Sequence, residues 1–219
     1  MLTPIPSAPT TLADALREQT KAAHTRAERH PQQGRLVKGE SSRQEYAAWL
    51  GQMLHLWRAL DRALVAKAGS DPRVAAMVRP YHTHAPRLED DLDFLGVKAD
   101  NFPPLGATKA FVDHVNAARD AKGPALLGIW YVLEGSANGG QYIAKAVAKS
   151  LNIPGPRGLS SLDPHGSAQR ERWQTWRTDL NAQPWDESEH RAIIEAAIVT
   201  FDDVFTMLED LEAHERGLH

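Results

Sequence analysis

The 219-residue chain has no cysteine, which excludes disulfides, thiolate metal sites, cysteine nucleophiles and iron–sulfur clusters together. Any metal must therefore be held by histidine or oxygen ligands. No segment alternates apolar and polar residues as a half-buried strand would. Long apolar runs are also missing: the uncharged window between Lys122 and Glu134 is too short to span a bilayer, so no membrane association is expected. The first basic residue is Arg17, so the N-terminus lacks the basic region of a targeting segment, and a cytoplasmic protein is expected. Basic residues are interspersed with acidic ones, as in Arg170-Glu171-Arg172, and the formal net charge is -3. No stripe is present that would track phosphates, so nucleic-acid binding is not expected. A Gly-x-Gly-x-x-Gly nucleotide fingerprint is absent too.

What remains is helical periodicity. Residues 1–10 hold three prolines and read as a mobile leader, followed by a first helix from Thr11 with Leu12, Leu16, Thr20 and His24 on one stripe. Ser41 or Ser42, with Gln44 or Glu45 three residues on, opens a helix carrying Tyr46, Leu50, Met53, Trp57, Leu60 and Leu64 and ending near Gly69. Asp71-Pro72 predicts a short helix through Val78, and Pro86 one that Gly96 ends. Thr108 is expected to cap the next, and Pro124 to start a long helix to about Leu151. After a Pro/Gly/Ser-rich loop over 152–166, two helices follow, the last running from Asp186 to about Glu212. The expected architecture is all-α: one bundle domain of seven or eight helices over 11–212, then a flexible tail over 213–219.

The most informative stretch lies inside the long helix. Gly135, Gly139 and Gly140 fall within Glu134-Gly135-Ser136-Ala137-Asn138-Gly139-Gly140-Gln141. Each interior glycine costs roughly 1 kcal/mol relative to alanine, so such a cluster points to a kink or a very close neighbour. Gly135 and Gly139 are four apart and share a face, leaving a bare backbone strip for a planar group. His24 in the first helix supplies an opposing metal ligand, and the pair points to haem. Arg17 stands seven residues before His24, roughly 10 Å along the helix, a separation suited to a carboxylate at the macrocycle edge. Glu28, one turn after His24, can accept the second ring N–H of a ligating imidazole.

Two runs carry a resemblance to the haem oxygenase family, specifically its bacterial biliverdin-forming branch. Leu16-Arg17-Glu18-Gln19-Thr20-Lys21-Ala22-Ala23-His24-Thr25-Arg26-Ala27-Glu28 resembles the family's proximal helix, with His24 as iron ligand and Glu28 as its partner. Tyr131-Val132-Leu133-Glu134-Gly135-Ser136-Ala137-Asn138-Gly139-Gly140-Gln141 is similar to its distal helix, which kinks over the haem. The resemblance spans about residues 12–212. It implies that Arg17 and Arg177 hold the haem propionates, and that a second basic position of the late helix is here Trp173. Many members carry Asp after the first kink glycine, where this chain has Ser136; a Glu-Gly-Ser sequence is similar to that of a bacterial branch.

The resemblance implies O2- and electron-dependent cleavage of haem to biliverdin, carbon monoxide and ferrous iron. Gly135, Ser136, Asn138 and Gly139 would line the distal side, Ser136 and Asn138 holding water rather than acting as acids. Gly140, Trp130 and Trp173 are expected near the haem, while the other four tryptophans are assigned to the core. Electrons must come from an external donor, a ferredoxin or a reductase. His82, His84, His214 and His219 read as solvated histidines. Two rivals are a non-haem di-iron oxidase, for which Glu187 and His190 give just one Glu-x-x-His, and a haem carrier or sensor without turnover.

Overall fold

The computed structural model describes residues 11–217. The expected leader (1–10) and the last two tail residues, His219 among them, lie outside the described residues. Ten α-helices are found there: α1 (Leu12–Gln19), α2 (Lys21–Glu28), α3 (Pro31–Lys38), α4 (Arg43–Ala68), α5 (Pro72–Ala75), α6 (Ala85–Leu95), α7 (Gly106–Asp120), α8 (Leu126–Ser150), α9 (Gln169–Ala182) and α10 (Glu187–Gly217). Three short 3-10 turns separate some of them, and the described residues contain no strand. The all-α expectation therefore holds.

The two unforeseen helices have local causes. The expected first helix divides at Thr20, whose hydroxyl donates to the Leu16 carbonyl at 2.7 Å. A threonine bonded back one turn competes with the helical ladder and bends it. α3 is bracketed by Pro31 in its first turn and by Gly39 in the left-handed conformation (φ 68°), with the Glu40 amide bonded to the Arg35 carbonyl at 2.8 Å. Gly39 is also a close approach, for a Cβ there would stand 2.8 Å from the Ala146 carbonyl oxygen of α8.

α4 is the central element. Ser42 and Glu45 form the expected capping box, the Glu45 amide donating to Ser42 Oγ at 3.1 Å and the Ser42 amide to Glu45 Oε2 at 2.7 Å. Tyr46, Leu50, Leu54, Leu56, Leu60 and Leu64 are buried around α4, which packs against α5, α6 and α7. Truncating one of these leucines to alanine should cost about 2–5 kcal/mol.

Three boundaries differ from expectation by three residues or more. α5 stops at Ala75 rather than Val78. α7 begins at Gly106, because Asp210 of α10 accepts the Ala107 amide at 2.8 Å and serves as the cap. Thr108 instead lies buried in the first turn and donates to Gln52 at 2.7 Å. α10 continues past Glu212 to Gly217, so helix occupies most of the expected tail; Arg35 pairs with Glu212 at 3.3 Å and Glu215 at 3.6 Å. The 152–166 loop is pinned by the buried Asp91, which accepts the amides of Gly158, Ser160 and Ser161 at 2.7–3.0 Å. No described helix is long and apolar enough to cross a membrane.

Candidate functional site

α10 acts as a ruler along which the site is built. At one level α8 touches it backbone to backbone: a Cβ on Gly128 would overlap the Ile193 carbonyl and stand 2.7 Å from the Ala197 amide. One turn on, the His24 ring packs edge-on against Phe201 at 5.3 Å, and further along His30 does the same with Phe205 at 5.1 Å. α10 thus packs against α8 at Gly128 and against α2 at Phe201.

One end of the site is marked by Tyr131, whose phenol stands near the Thr20 side chain at the α1–α2 bend. Burial pushes the Tyr131 phenol up, against the pull of the Thr20 hydroxyl and of Arg177 and Arg17. From these residues, one helical turn along α2 is His24 and one turn along α8 is Gly135. The proximal run on α2 and the distal run on α8 thus both extend by one turn from neighbouring residues.

His24 is half exposed, with Nδ1 3.4 Å from Glu28 Oε2. Among the described residues its Nε2 has no hydrogen-bond partner, which is the arrangement of an imidazole able to ligate through one nitrogen while the other is oriented by a carboxylate. On the distal side the three glycines separate into three roles. Gly139 faces open space, with no atom within 4 Å of where a Cβ would be. The missing Cβ of Gly135 instead admits Trp173, whose Cη2 lies 3.2 Å from that position. Gly140 is buried against the backbone carbonyl of Leu162, so its lack of a side chain serves loop packing rather than the site.

Ser136 is exposed and donates to the Leu133 carbonyl at 2.7 Å; Asn138 donates to the Gly135 carbonyl at 2.9 Å and accepts from Gln169 of α9 at 3.2 Å. Helical structure continues through all of them from Leu126 to Ser150. At the α1 and α9 end, Arg177 pairs with Asp14 at 2.8 Å, and Arg17 is exposed with no ion pair among the described residues. Both arginines act on Tyr131 and so stand at that same end of the site. A free imidazole nitrogen, a bare backbone strip and two cations fit a planar dianionic metalloporphyrin.

Trp130 departs from expectation. It is fully buried on another side of α8, edge-on to Trp176 at 5.5 Å and to His82 at 4.8 Å, and belongs to the core with Trp57, Trp176 and Trp185. Trp173, stacked on Trp176 at 5.3 Å and beside Tyr131 at 5.6 Å, is the tryptophan that reaches the site.

The expectation of solvated histidines fails at His82 and His84, which are both buried. Glu134, next to Gly135 in sequence, is the reason. Its buried carboxylate receives His165 Nε2 at 2.8 Å and His84 Nε2 at 3.0 Å, with Trp130 Nε1 at 3.4 Å. Burial pushes the Glu134 carboxyl up, but the bonds from His165 and His84 outweigh it and hold it well below the usual carboxylate range. These three side chains are also the one described group whose ligand atoms, all within 4.8 Å of one another, could converge on a metal. Arg172 argues against that use. Its guanidinium can only donate, and it reaches His165 Nδ1 at 2.8 Å, so Nε2 of the neutral ring carries the proton and donates to Glu134. Glu187, meanwhile, is exposed at the start of α10 and paired with Arg191, leaving no di-iron centre around it.

A sequence model of the Heme oxygenase family matches residues 10–210. Heme oxygenase 2 of Synechocystis sp. is 26% identical over 96% of this chain and 88% of its own length. Heme oxygenase 1 of Homo sapiens is 26% identical over 95% of this chain and 75% of its own. Among solved structures, that of Synechocystis heme oxygenase-2 with haem and NO superposes with a TM-score of 0.87 at 24% identity, covering 95% of this chain and 88% of the other. The all-α fold and the family match define an α-helical protein of the haem-degrading class. The chain belongs to the haem oxygenase family.

Proposed function

We propose that this protein is a haem oxygenase: an enzyme that uses O2 and externally supplied electrons to open the haem ring, giving biliverdin, carbon monoxide and ferrous iron. The observation that carries this reading is the family match over residues 10–210, supported by the His24–Glu28 pair on α2 and the open backbone position at Gly139 on α8. Haem is substrate and cofactor at once, its iron activating dioxygen and its ring being oxidised. His24 would hold the iron through Nε2, with Glu28 accepting the proton of Nδ1. Arg17 and Arg177 would take the propionates, Arg177 exchanging its surface pair with Asp14 for one of them. The close backbone at Gly139 and the wall formed by Trp173 over Gly135 would exclude bulk solvent and hold the ring in one attitude.

Proton delivery has to work without a distal carboxylic acid. The Glu134 carboxylate is turned into the core towards His84 and His165, so it does not replace one. The exposed Ser136 hydroxyl and the Asn138 amide are the polar groups left to organise water on that face. The electron donor would be a ferredoxin or a flavoprotein reductase acting from solution.

The test is to add hemin to the purified protein, supply reductant in air with catalase present, and follow the Soret band while analysing products. Loss of the band with biliverdin and carbon monoxide is expected. A stable ferrous or ferric complex with the ring intact would assign the protein to haem carriage or sensing instead.

A further inference from the structure

The buried Glu134 network lies outside the haem-contacting set, yet it joins the two helices that form the distal wall. Glu134 and Gly135 are consecutive on α8, and Arg172 and Trp173 are consecutive on α9. One residue of each pair faces the core and the other faces the site. On the core side the chain runs from the Glu134 carboxylate through His165 to the Arg172 guanidinium, with separations of 2.8 Å at both steps. Arg172 is further fixed by lying 4.3 Å over the Tyr81 ring. On the other side the Trp173 indole covers Gly135 and ends the open strip that begins at Gly139.

We propose that the Glu134–His165–Arg172 chain is a latch that positions Trp173, and that Trp173 in turn selects which edge of a bound haem is attacked. The selectivity half of the proposal rests on the haem-cleaving reading above; the positioning half does not. The chemistry favours a latch of defined length. Each link is a hydrogen bond between fixed partners, with Arg172 setting the His165 tautomer and His165 donating to an anion from which water is excluded. An apolar contact would tolerate sliding of α9 along α8, whereas this chain does not. Trp173 is a large rigid ring at the boundary of the bare strip, so a small displacement of α9 changes how far a planar ligand can rotate or advance before meeting it. Its stacking on Trp176 carries the displacement as a unit rather than absorbing it in one side chain.

The experiment uses the whole chain labelled with 5-fluorotryptophan, the Trp173 resonance being assigned by Trp173→Phe. In the haem-free protein, Arg172→Met is expected to move that resonance and Arg172→Lys, which keeps one donor for His165, to restore it towards its original place. With hemin and reductant, Arg172→Met is expected to change the ratio of biliverdin isomers at least threefold, Arg172→Lys less. A loss of stability alone would lower the melting temperature without moving the isomer ratio. An unmoved resonance in Arg172→Met and in Glu134→Gln would overturn the latch. A moved resonance with an unchanged ratio would overturn its selective role. If the unsubstituted protein opens no haem, the function reading fails, and the fluorine spectra still decide the latch. One equivalent of zinc bound by the unsubstituted protein and lost in Glu134→Gln would overturn the hydrogen-bonded assignment in favour of a metal site.

Discussion

The Tyr131 phenol stands near the Thr20 side chain at the bend between α1 and α2, and one helical turn beyond these residues stand Gly135 on α8 and His24 on α2. A polar group of the distal helix is therefore set beside the break in the proximal segment. Tyr131→Phe removes the hydroxyl and keeps the ring. The expected result is a loss of about 1 kcal/mol in stability, read from denaturant midpoints, together with a several-fold weaker hemin affinity. Unchanged affinity would show that the bend holds itself.

Replacing His24 by Ala should abolish the histidine-ligated haem spectrum. Glu28→Gln should leave ligation intact and lower hemin affinity by about 10-fold, within the range seen when a metal-bound imidazole loses its carboxylate partner. Both residues are largely exposed, so neither change should move the melting temperature by more than a degree or two. A normal spectrum in His24→Ala would place the ligand elsewhere.

Glycine substitutions along α8 should separate by position. Gly128→Ala drives a methyl into the α10 backbone and should cost upwards of 3 kcal/mol, because the obstruction is backbone rather than a flexible side chain. Gly139→Ala meets nothing and should stabilise the helix by up to about 1 kcal/mol. Gly139→Leu should likewise fold normally but bind hemin poorly. Thermal melts and Soret titrations of the three variants test this; normal hemin binding by Gly139→Leu would remove Gly139 from the site.

Arg177 and Asp14 form an exposed pair worth little to stability. Arg177→Gln should weaken hemin binding several-fold, while Asp14→Asn, which frees the guanidinium, should strengthen it slightly. Equal losses in both variants would mean that the pair, and not the cation, matters.

Stability should fall in mild acid. Burial pushes the His82 imidazole down to about 4, with Glu134 opposing, so it stays neutral in the native protein. In the unfolded chain it takes up a proton near its ordinary value of about 6.5. Between these values the unfolded state binds more protons, so stability rises with pH from about 4 to 6.5 and is level above, a difference of roughly 3 kcal/mol at most. His82→Asn, whose side-chain oxygen can still accept the Arg79 amide that His82 Nδ1 receives at 3.1 Å, should flatten that slope. Denaturation midpoints at pH 5 and pH 7 give the comparison, and an undiminished slope would assign it to other groups.

Much of this arrangement was legible in the sequence where the signal is local. The Ser42–Glu45 box and the left-handed Gly96 that ends α6 read correctly, since each depends on residues within one helical turn, and the i,i+4 spacing of His24 and Glu28 brings the two side chains to 3.4 Å. α3 carried its own punctuation in Pro31 and Gly39, but its short span buries just Gln32 and Leu36, too few apolar positions to show a period. The Glu134 network had no local signature, because His84, Glu134 and His165 come from three separate segments. Its one trace was a lone acid directly after an apolar run from Leu126 to Leu133, in a position that looked like part of the distal motif. The sequence likewise offered no means to divide the three glycines among an open strip, an indole and a loop.

α8 is held backbone to backbone beside Gly139, where Gly140 meets the Leu162 carbonyl, and again at Gly128 against α10. From there to Gly139 is eleven residues, about 16 Å of helix at 1.5 Å per residue. With both points held, that length of helix behaves as a beam rather than a lever, and Gly139 stays where the two contacts set it. A methyl group at residue 128 would therefore load the span between them rather than swing one end of it.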